Sequence, residues 1–223
     1  MTTLTRICLD PTSRTVVRDL GNPVALHKRT MSAFAQAGPG PAREALGVLW
    51  RLDSDAARRL FLIVQSGSPG SWDRLPAHWA TSVEAKEIGP VLDGLYAGQL
   101  CRFLLRANVT RKINTKTGDD GRRRNGQRVP LRSPEHALGW LAHKGQAAGF
   151  DLVKGATGLS VEVRPEPPAT GWRAGSVVTV EAVRFEGQLV VTDAVRLAQA
   201  VRTGVGPAKA YGCGLLSLAP LSR

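Results

Sequence analysis

Four histidines and three cysteines are the residues of this chain best suited to acid–base, nucleophilic or metal chemistry. The cysteines are odd in number and far apart, with no CxxC pair: Cys8, Cys101 and Cys213. The histidines lack metal-ligand spacing to one another or to a carboxylate cluster: His27, His78, His136 and His143. This pattern argues against a zinc site and against a disulfide framework. We therefore expect metal-independent chemistry that uses no cofactor.

His27 follows a helix-start signal, Asn22-Pro23, in which asparagine caps the helix and proline occupies its first position. Imidazole titrates near neutral pH and suits general acid or general base catalysis. A histidine about one turn into a helix lies near the positive end of the helix dipole, which favours the neutral imidazole until an anion docks. The alternative is an ordinary, partly exposed helix histidine, and the residue types alone favour that alternative.

The glycine-rich segment at residues 204–214 is the most distinctive pattern in the chain. It lacks the GK[ST] end of a P-loop, and it follows a predicted helix rather than the strand that a dinucleotide fingerprint requires. A loop of this kind brings backbone N–H groups close to a phosphate, and its lysine adds charge. A plain helix-to-strand connection is the alternative. The candidate phosphate-binding residues of the glycine-rich segment are Gly204, Gly206, Lys209, Tyr211, Gly212 and Gly214.

A basic segment at residues 111–132 is the second candidate for contact with a polyanion. Its glycines predict a loop or a long hairpin, and arginine suits bidentate contacts to phosphates or groove edges. The alternative is a solvated loop with no ligand. The eight positive side chains that we expect to contact the polyanion are Arg111, Lys112, Lys116, Arg122, Arg123, Arg124, Arg128 and Arg132.

The overall charge supports a polyanionic partner. The 30 Lys and Arg outnumber the 18 Asp and Glu, which gives a formal charge of +12 and a pI near 10.6. Clustered cations gain affinity for nucleic acid through counterion release. No apolar run is long enough to span a membrane and no signal-peptide stretch is present, so we expect no membrane partner. The unpaired cysteines fit a reducing cytoplasm.

The predicted elements that position these residues fall into two similar halves. In residues 1–95 the order is strand, helix, strand, strand and strand, with a helix predicted from Asn22 to about Ala37. The second helix of this half is weak or missing, and residues 72–80 supply at most one turn. In residues 98–223 a strand precedes a helix from Ser133 to Ala148, and further strands precede a helix that ends near Thr203. The order predicts an α+β fold of two tandem ferredoxin-like (βαββαβ) domains.

The C-terminal pattern G-x-G-x-x-K-x-[aromatic]-G-x-G-L-L resembles the signature of the CRISPR-associated ribonucleases that process repeat RNA. The chain as a whole resembles the CasE branch of that family, which belongs to type I-E Cascade systems. The supporting segments span almost the full length. They are Leu9-Asp10-Pro11, Asn22-Pro23-Val24-Ala25-Leu26-His27, Gly126 to Leu131, Gly149-Phe150-Asp151-Leu152 and Arg184-Phe185-Glu186-Gly187.

The resemblance implies an endoribonuclease that binds the CRISPR repeat hairpin and cleaves at the base of its stem without a metal ion. The 2′-hydroxyl attacks the adjacent phosphate and leaves a 2′,3′-cyclic phosphate and a 5′-hydroxyl. The resemblance also implies that the enzyme keeps its product and joins the other Cascade subunits. His27 then acts as the general acid or base, and Lys28, Arg29 or Lys209 stabilises the phosphate charge.

The sequence departs from the family at one position. The family often has a tyrosine three residues before the histidine, where this chain has Val24. Valine neither donates a hydrogen bond nor exchanges protons, so catalysis is slower here or another group assists. Two alternative functions stay open on the residues alone: a non-catalytic subunit that binds an RNA hairpin, and a basic nucleic-acid-binding protein with no hairpin preference.

Overall fold

The computed structural model describes residues 1–34, 42–113, 128–155 and 158–221. The helices are α1 Arg14–Leu20, α2 Pro23–Met31, α3 Ala42–Ala45, α4 Gly89–Asp93, α5 Pro134–Ala148 and α6 Ala194–Thr203. The strands are β1 Thr3–Leu9, β2 Leu49–Ser54, β3 Leu60–Ser66, β4 Ala80–Glu87, β5 Leu100–Asn108, β6 Thr110–Lys112, β7 Arg128–Pro130, β8 Phe150–Leu152, β9 Lys154–Gly155, β10 Gly158–Leu159, β11 Val161–Pro165, β12 Ala169–Arg173, β13 Ser176–Val180, β14 Ala182–Val191 and β15 Leu216–Pro220.

The first sheet is antiparallel, with the strand order β2-β3-β1-β4. Alternate residues of β1 are buried, as expected for a strand with one face against a core. Ile7 of β1 pairs with Leu62 of β3, and both side chains are fully buried with Trp79. Between β3 and β4 the chain forms only a short 3-10 turn at Trp72–Arg74. The predicted weakness of the second helix in this half is therefore confirmed.

The second sheet repeats the same strand order as β11-β14-β5-β15, with β8 also paired to β14. Its core contains Leu105, Leu141, Phe150 and Phe185, all fully buried. Helices α5 and α6 occur where the ferredoxin-like order requires them. The prediction of an α+β fold with tandem ferredoxin-like domains is confirmed.

Helix α5 forms as its sequence predicts. Ser133 is the N-cap, and its side chain accepts a hydrogen bond from the His136 N–H. Gly149 ends the helix in the left-handed conformation, with φ 81°. A side chain at Gly149 would also collide with the Asp193 carbonyl at the start of α6. The chain therefore needs glycine at this position for both its turn and its packing.

The expected end of the first long helix is wrong, because α2 ends at Met31 and residues 32–33 form a turn. Helix α1 was not predicted. Its inward face carries Asp19, which is 3% exposed and accepts hydrogen bonds from Arg29 Nε at 2.8 Å and Trp79 Nε1 at 3.0 Å. A buried carboxylate breaks the apolar pattern by which a short helix is recognised.

Polar bridges join the two sheets. Arg51 of β2 donates to the Leu215 carbonyl at 3.1 Å and to Ser217 Oγ at 3.1 Å. Arg184 of β14 donates to Asp53 of β2 at 2.9 Å. These contacts fix β2 against the second sheet and place the glycine-rich segment beside the first half of the chain.

The predicted division into residues 1–95 and 98–223 stays a prediction. Leu92 and Leu95 pack in the core of the second sheet. In the described part of the chain, no helix has the length and apolar character needed to cross a membrane.

Candidate active site between the second helix and the glycine-rich loop

His27 is the fifth residue of α2 and lies half-buried. The Asn22 side chain caps the helix by accepting hydrogen bonds from the N–H groups of Val24 and Ala25. Leu26 and Thr30, 3% and 0% exposed, face the interior and fix the rotation of the helix. His27 Nδ1 is enclosed and has no hydrogen-bond partner within the described residues. Nε2 is therefore the nitrogen that can reach a substrate.

The imidazole of His27 is neutral at physiological pH. Burial, followed by the positive charges of Arg43 and Arg173, lowers the pKa of His27 to about 4. Burial penalises the charged form, and nearby cations penalise it further. The neutral imidazole was predicted, but from the helix dipole. The structure assigns the effect to burial and to two arginines instead.

The glycine-rich loop supplies the opposite wall. The His27 and Tyr211 rings meet edge to face, with 6.4 Å between their centroids and 71° between their planes. Tyr211 ends a 3-10 turn, Lys209–Tyr211, and Gly212 follows with φ 76°. A β-carbon at Gly212 would lie 2.6 Å from the Trp50 ring. Glycine is therefore required at this position, both for its backbone conformation and for the packing of Trp50.

Two arginines bind backbone carbonyls in and directly after the glycine-rich loop. Arg106 Nη1 donates to the carbonyls of Tyr211 and Gly212 at 3.2 and 3.1 Å, and its Nε donates to Glu166 at 2.6 Å. Arg51 holds the carbonyl of Leu215, as described above. Several loop N–H groups donate within the protein, namely those of Val205, Tyr211 and Gly214. These three N–H groups are not available to a phosphate.

The β12–β13 hairpin covers the site from a third side. Gly171 of β12 faces Asn22 and Val24 of α2, and there is no space there for a β-carbon. From β13, Val178 and Val180 belong to the apolar cluster that contains Cys213 and Tyr211. Arg173 ends β12 and brings its Nη1 within 3.4 Å of the Tyr211 hydroxyl. The hairpin thus adds one more cation to the site.

Three cations therefore surround the site: Arg43, Arg173 and Lys209, which we call the site cations. Arg43 of α3 donates to Glu44 at 3.0 Å and to the Val48 carbonyl at 3.4 Å. Burial, and then the charge of Arg43, lowers the pKa of the Lys209 ammonium, while Glu44 acts in the opposite direction. An anion placed among these groups would relieve their mutual repulsion.

Lys28 and Arg29 were also expected to stabilise the phosphate charge, but the structure places neither among the site cations. Lys28 is exposed on α2, and its side chain makes no hydrogen bond or ion pair with the described residues. Arg29 pairs with buried Asp19 at 2.8 Å, which commits it to the α1–α2 packing. Arg43 and Arg173 were missed. The Arg173 turn has φ 47° at Ala174 and 79° at Gly175, a conformation that Asn-Gly signals well and Ala-Gly signals poorly.

The basic segment is described only in part. Lys116, Arg122, Arg123 and Arg124 lie outside the described residues. Lys112 of β6 pairs with Arg128 of β7 in a short hairpin, and both are exposed together with Arg111. Arg132 is exposed but forms two hydrogen bonds with Glu181, each at 2.9 Å. Within the described residues, no group of three or more potential metal ligands comes together.

The arrangement suits acid–base chemistry on a phosphate ester. A neutral imidazole takes a proton, the cations hold an anion, and a phenol stands beside both. The five side chains come from four elements: His27 from α2, Arg43 from α3, Arg173 from the hairpin, and both Lys209 and Tyr211 from the glycine-rich loop.

Comparison with known proteins gives consistent matches over nearly the whole chain. A sequence model for a family described as CRISPR associated protein matches residues 3–220. The CRISPR-associated endoribonuclease Cse3 of Thermus thermophilus is 36% identical over 226 residues, which covers 97% of this chain and 99% of that protein. The CRISPR system Cascade subunit CasE of Escherichia coli is 37% identical over 145 residues, 64% of this chain and 67% of that protein. The structure of Thermus thermophilus Cse3 bound to an RNA representing a pre-cleavage complex superposes with a TM-score of 0.80 at 33% identity, covering 98% of this chain and 99% of that one.

Proposed function

Because the chain belongs to the family of CRISPR-associated proteins, in its CasE branch, we propose that it is the endoribonuclease that cleaves CRISPR repeat RNA. It binds the repeat hairpin in precursor RNA and cuts at the base of the stem to give guide RNA. A relative that matches over its whole length carries the name endoribonuclease, and its structure holds an RNA before cleavage. Another relative is a Cascade subunit, so the other Cascade subunits are the expected protein partners.

The observation that carries the catalytic part of the proposal is the neutral His27 imidazole beside three cations. With its pKa near 4, His27 is a base and not an acid at neutral pH. Its Nε2 takes the proton of the 2′-hydroxyl, and the 2′-oxygen attacks the adjacent phosphorus. The bond from phosphorus to the 5′-oxygen breaks, which leaves a 2′,3′-cyclic phosphate and a 5′-hydroxyl. The charge on the pentacoordinate phosphate is stabilised by Arg43, Arg173 and Lys209.

The remaining candidate residues serve RNA binding in this proposal. Lys28 is exposed beside His27, which suits a neighbouring phosphate better than the reacting one. The basic hairpin adds phosphate contacts through Arg111, Lys112 and Arg128, while Arg132 must first leave Glu181. The glycine-rich loop positions Tyr211 and Lys209. A cytoplasmic location is part of the proposal, and the three free thiols are compatible with a reducing compartment.

The test is a cleavage assay on the cognate repeat RNA in EDTA, with His27→Asn beside the wild type. We expect wild-type cleavage in EDTA and a loss of about 10²- to 10⁴-fold in His27→Asn, the usual contribution of a general base. RNA affinity stays unchanged, because asparagine removes the base but adds no charge. The matched control is His78→Asn, since His78 is exposed and its φ of 58° is one that asparagine tolerates.

Each alternative function predicts a different result in the same assay. Tight hairpin binding by the wild type without any cleavage identifies a non-catalytic subunit. Equal affinity for the repeat and for an unrelated RNA identifies a basic protein without hairpin preference. Cleavage that requires added divalent metal contradicts the metal-independent mechanism.

A further inference from the structure

We propose that the Tyr211 hydroxyl is the general acid that protonates the leaving 5′-oxygen, and that Arg173 positions it for this step. The inference rests on the proposed ribonuclease function and assigns the second proton transfer of that reaction. His27 begins the step as the unprotonated base, so in a concerted displacement the proton for the leaving 5′-oxygen comes from another group. The reaction therefore needs a separate donor close to His27.

The position of Tyr211 meets that need. Its ring contacts the His27 ring edge to face, with 6.4 Å between the centroids. The side chain is partly exposed, so a substrate has access to it. Val24, one turn before His27 on the same helix, is 5% exposed and packs against the hairpin at Gly171. It carries no exchangeable proton.

The contact with Arg173 leaves the Tyr211 hydroxyl free to donate its proton. A guanidinium has N–H donors and no acceptor, so the phenol oxygen accepts in the 3.4 Å contact with Arg173 Nη1. The phenol proton is then available to another acceptor.

The backbone of Tyr211 is held in place independently of the substrate. Arg106 binds the Tyr211 carbonyl, and Glu166 binds Arg106. The ring itself packs against the cluster of Val180, Ala182 and Cys213. A donor that is fixed by packing and by a second layer of hydrogen bonds transfers its proton with little reorganisation.

Lys209 is the competing proton donor in the loop. Its ammonium has a lowered pKa, which would suit an acid. Its stem, however, lies against the Gly214 backbone, and its charge interacts with Arg43, Glu44 and Lys144. The ring that contacts His27 is that of Tyr211. We therefore assign charge stabilisation to Lys209 and proton donation to Tyr211.

Two proton transfers accompany the cleavage of the phosphate ester. His27 Nε2 receives the proton of the 2′-hydroxyl as the bond from the 2′-oxygen to phosphorus forms. The bond from phosphorus to the 5′-oxygen breaks, and the leaving oxygen takes the phenol proton of Tyr211. The resulting imidazolium and phenolate return to their starting forms by losing a proton to water and taking one from water.

A substrate with sulfur in place of the bridging 5′-oxygen tests the assignment, because a thiolate leaves without protonation. On ordinary repeat RNA, single-turnover cleavage by Tyr211→Phe is expected to fall by about 10²- to 10⁴-fold. On the 5′-thio RNA the same variant is expected to cleave at the wild-type rate, within about threefold. His27→Asn stays slow on both substrates, because removal of the 2′-hydroxyl proton is still required.

Two control variants distinguish proton donation by Tyr211 from a role in RNA binding. Tyr96→Phe is the matched control, since Tyr96 is the other tyrosine of the chain and is 51% exposed. Lys209→Met is expected to slow cleavage of both substrates alike. The assignment is overturned if Tyr211→Phe is equally slow on both substrates, or if the sulfur rescues Lys209→Met instead.

The positioning role of Arg173 is tested by comparing the cleavage rates of two variants on the two substrates. Arg173→Gln weakens both the phenol contact and the phosphate charge, so the 5′-thio substrate restores only part of its rate. Arg173→Lys keeps a donor and restores more of the rate on ordinary RNA than Arg173→Gln does. Equal rates for the two variants would contradict the positioning role. If the wild type cleaves neither RNA, the ribonuclease function itself fails, which is distinct from failure of the Tyr211 assignment.

Discussion

Two sets of cations differ in their acidic partners: one joins the two sheets and holds the glycine-rich loop, and the other surrounds the candidate site. The first set, which we call the anchoring arginines, consists of Arg51, Arg106 and Arg184. Each of them forms an ion pair of 2.9 Å or less with Asp53, Glu166 or Glu186. The second set is that of the site cations, Arg43, Arg173 and Lys209. In the described part of the chain its nearest acid is Glu44, whose side chain is 68% exposed.

The difference separates architecture from ligand binding. A buried charge must be paired to persist in a folded protein, and the anchoring arginines meet that requirement with carboxylates, to which Arg51 and Arg106 add backbone carbonyls. The site cations lie close enough to repel one another: after burial, the charges of Arg43 and Arg173 lower the pKa of His27, and the charge of Arg43 lowers the pKa of Lys209. Such repulsion is tolerated where an anionic ligand relieves it. An RNA phosphate is that ligand in the proposed function.

The largest expected effect comes from breaking an anchoring pair. Arg51→Met removes a guanidinium whose side chain is 4% exposed and leaves Asp53, the Leu215 carbonyl and Ser217 with fewer partners. Loss of one partner of a buried pair costs about 3–5 kcal/mol of unfolding free energy. Urea unfolding at pH 7 measures this. The matched control is Arg173→Met, which is exposed and should change the unfolding free energy by less than about 0.5 kcal/mol.

The distinction between the two sets requires that Arg51→Met lower the unfolding free energy much more than Arg173→Met does. If Arg51→Met and Arg173→Met destabilise the fold equally, the anchoring arginines are not distinct from the site cations.

The second prediction concerns activity instead of stability, and it applies to the site cations. Arg43→Met and Arg173→Met should each lower kcat/KM for repeat RNA by about 10- to 100-fold, since hydrogen bonds to charged groups contribute about 1.5–3 kcal/mol. Binding and catalysis change because a cation next to the reacting phosphate is lost. Unchanged kcat/KM in both variants would place the reacting phosphate elsewhere. Exposed Arg58→Met serves as the charge-matched control.

The sequence predicted most of the fold, and it named three of the side chains that the structure brings together in the candidate site. Helix α5 was predicted to start at Ser133 and to end at about Ala148, and it does so, because Ser133, Pro134 and Gly149 are strong local signals for its start and end. The sequence also predicts strands at residues 177–185 and 189–191, whereas the structure has β13 at Ser176–Val180 and β14 running through Gly187 from Ala182 to Val191. That glycine is needed because a β-carbon there would lie 2.9 Å from Val161 on the neighbouring strand.

The site residues were predictable where a local pattern marked them. His27 followed a helix start, and Tyr211 and Lys209 lay in a glycine-rich segment. Arg43 and Arg173 reach the site only through tertiary packing of a short helix and a hairpin, so no local pattern marks them. For the same reason the sequence placed Arg29 at the phosphate, although buried Asp19 binds it.

The third prediction applies the same distinction to the basic hairpin, with smaller effects. Lys112→Met should reduce the slope of log affinity against log salt by about 0.7–0.9, the contribution of one phosphate contact. Arg132→Met should reduce it less, because Glu181 already pairs with Arg132. Filter-binding titrations between low and moderate salt measure both. Equal slopes for the two variants would show that the Glu181 pair does not compete with RNA.

The smallest effect concerns the pKa of His27 itself. Burial is the main cause of its low pKa, and the charges of Arg43 and Arg173 come after it. Arg43→Met should therefore raise the pKa of His27 from about 4 toward its ordinary value, but not all the way. An NMR titration of the free protein measures this shift directly.

In the RNA complex a bound phosphate favours the imidazolium, so the working pKa of His27 lies above that of the free protein. Below that pKa the cleavage rate should fall about tenfold per pH unit, because only the neutral imidazole accepts the 2′-hydroxyl proton. Arg43→Met raises the pKa and should move this acidic limb to higher pH, whereas a purely structural Arg43 would lower the rate equally at every pH. An acidic limb that stays in place would remove Arg43 from the site cations and leave Arg173 and Lys209 to balance the phosphate charge.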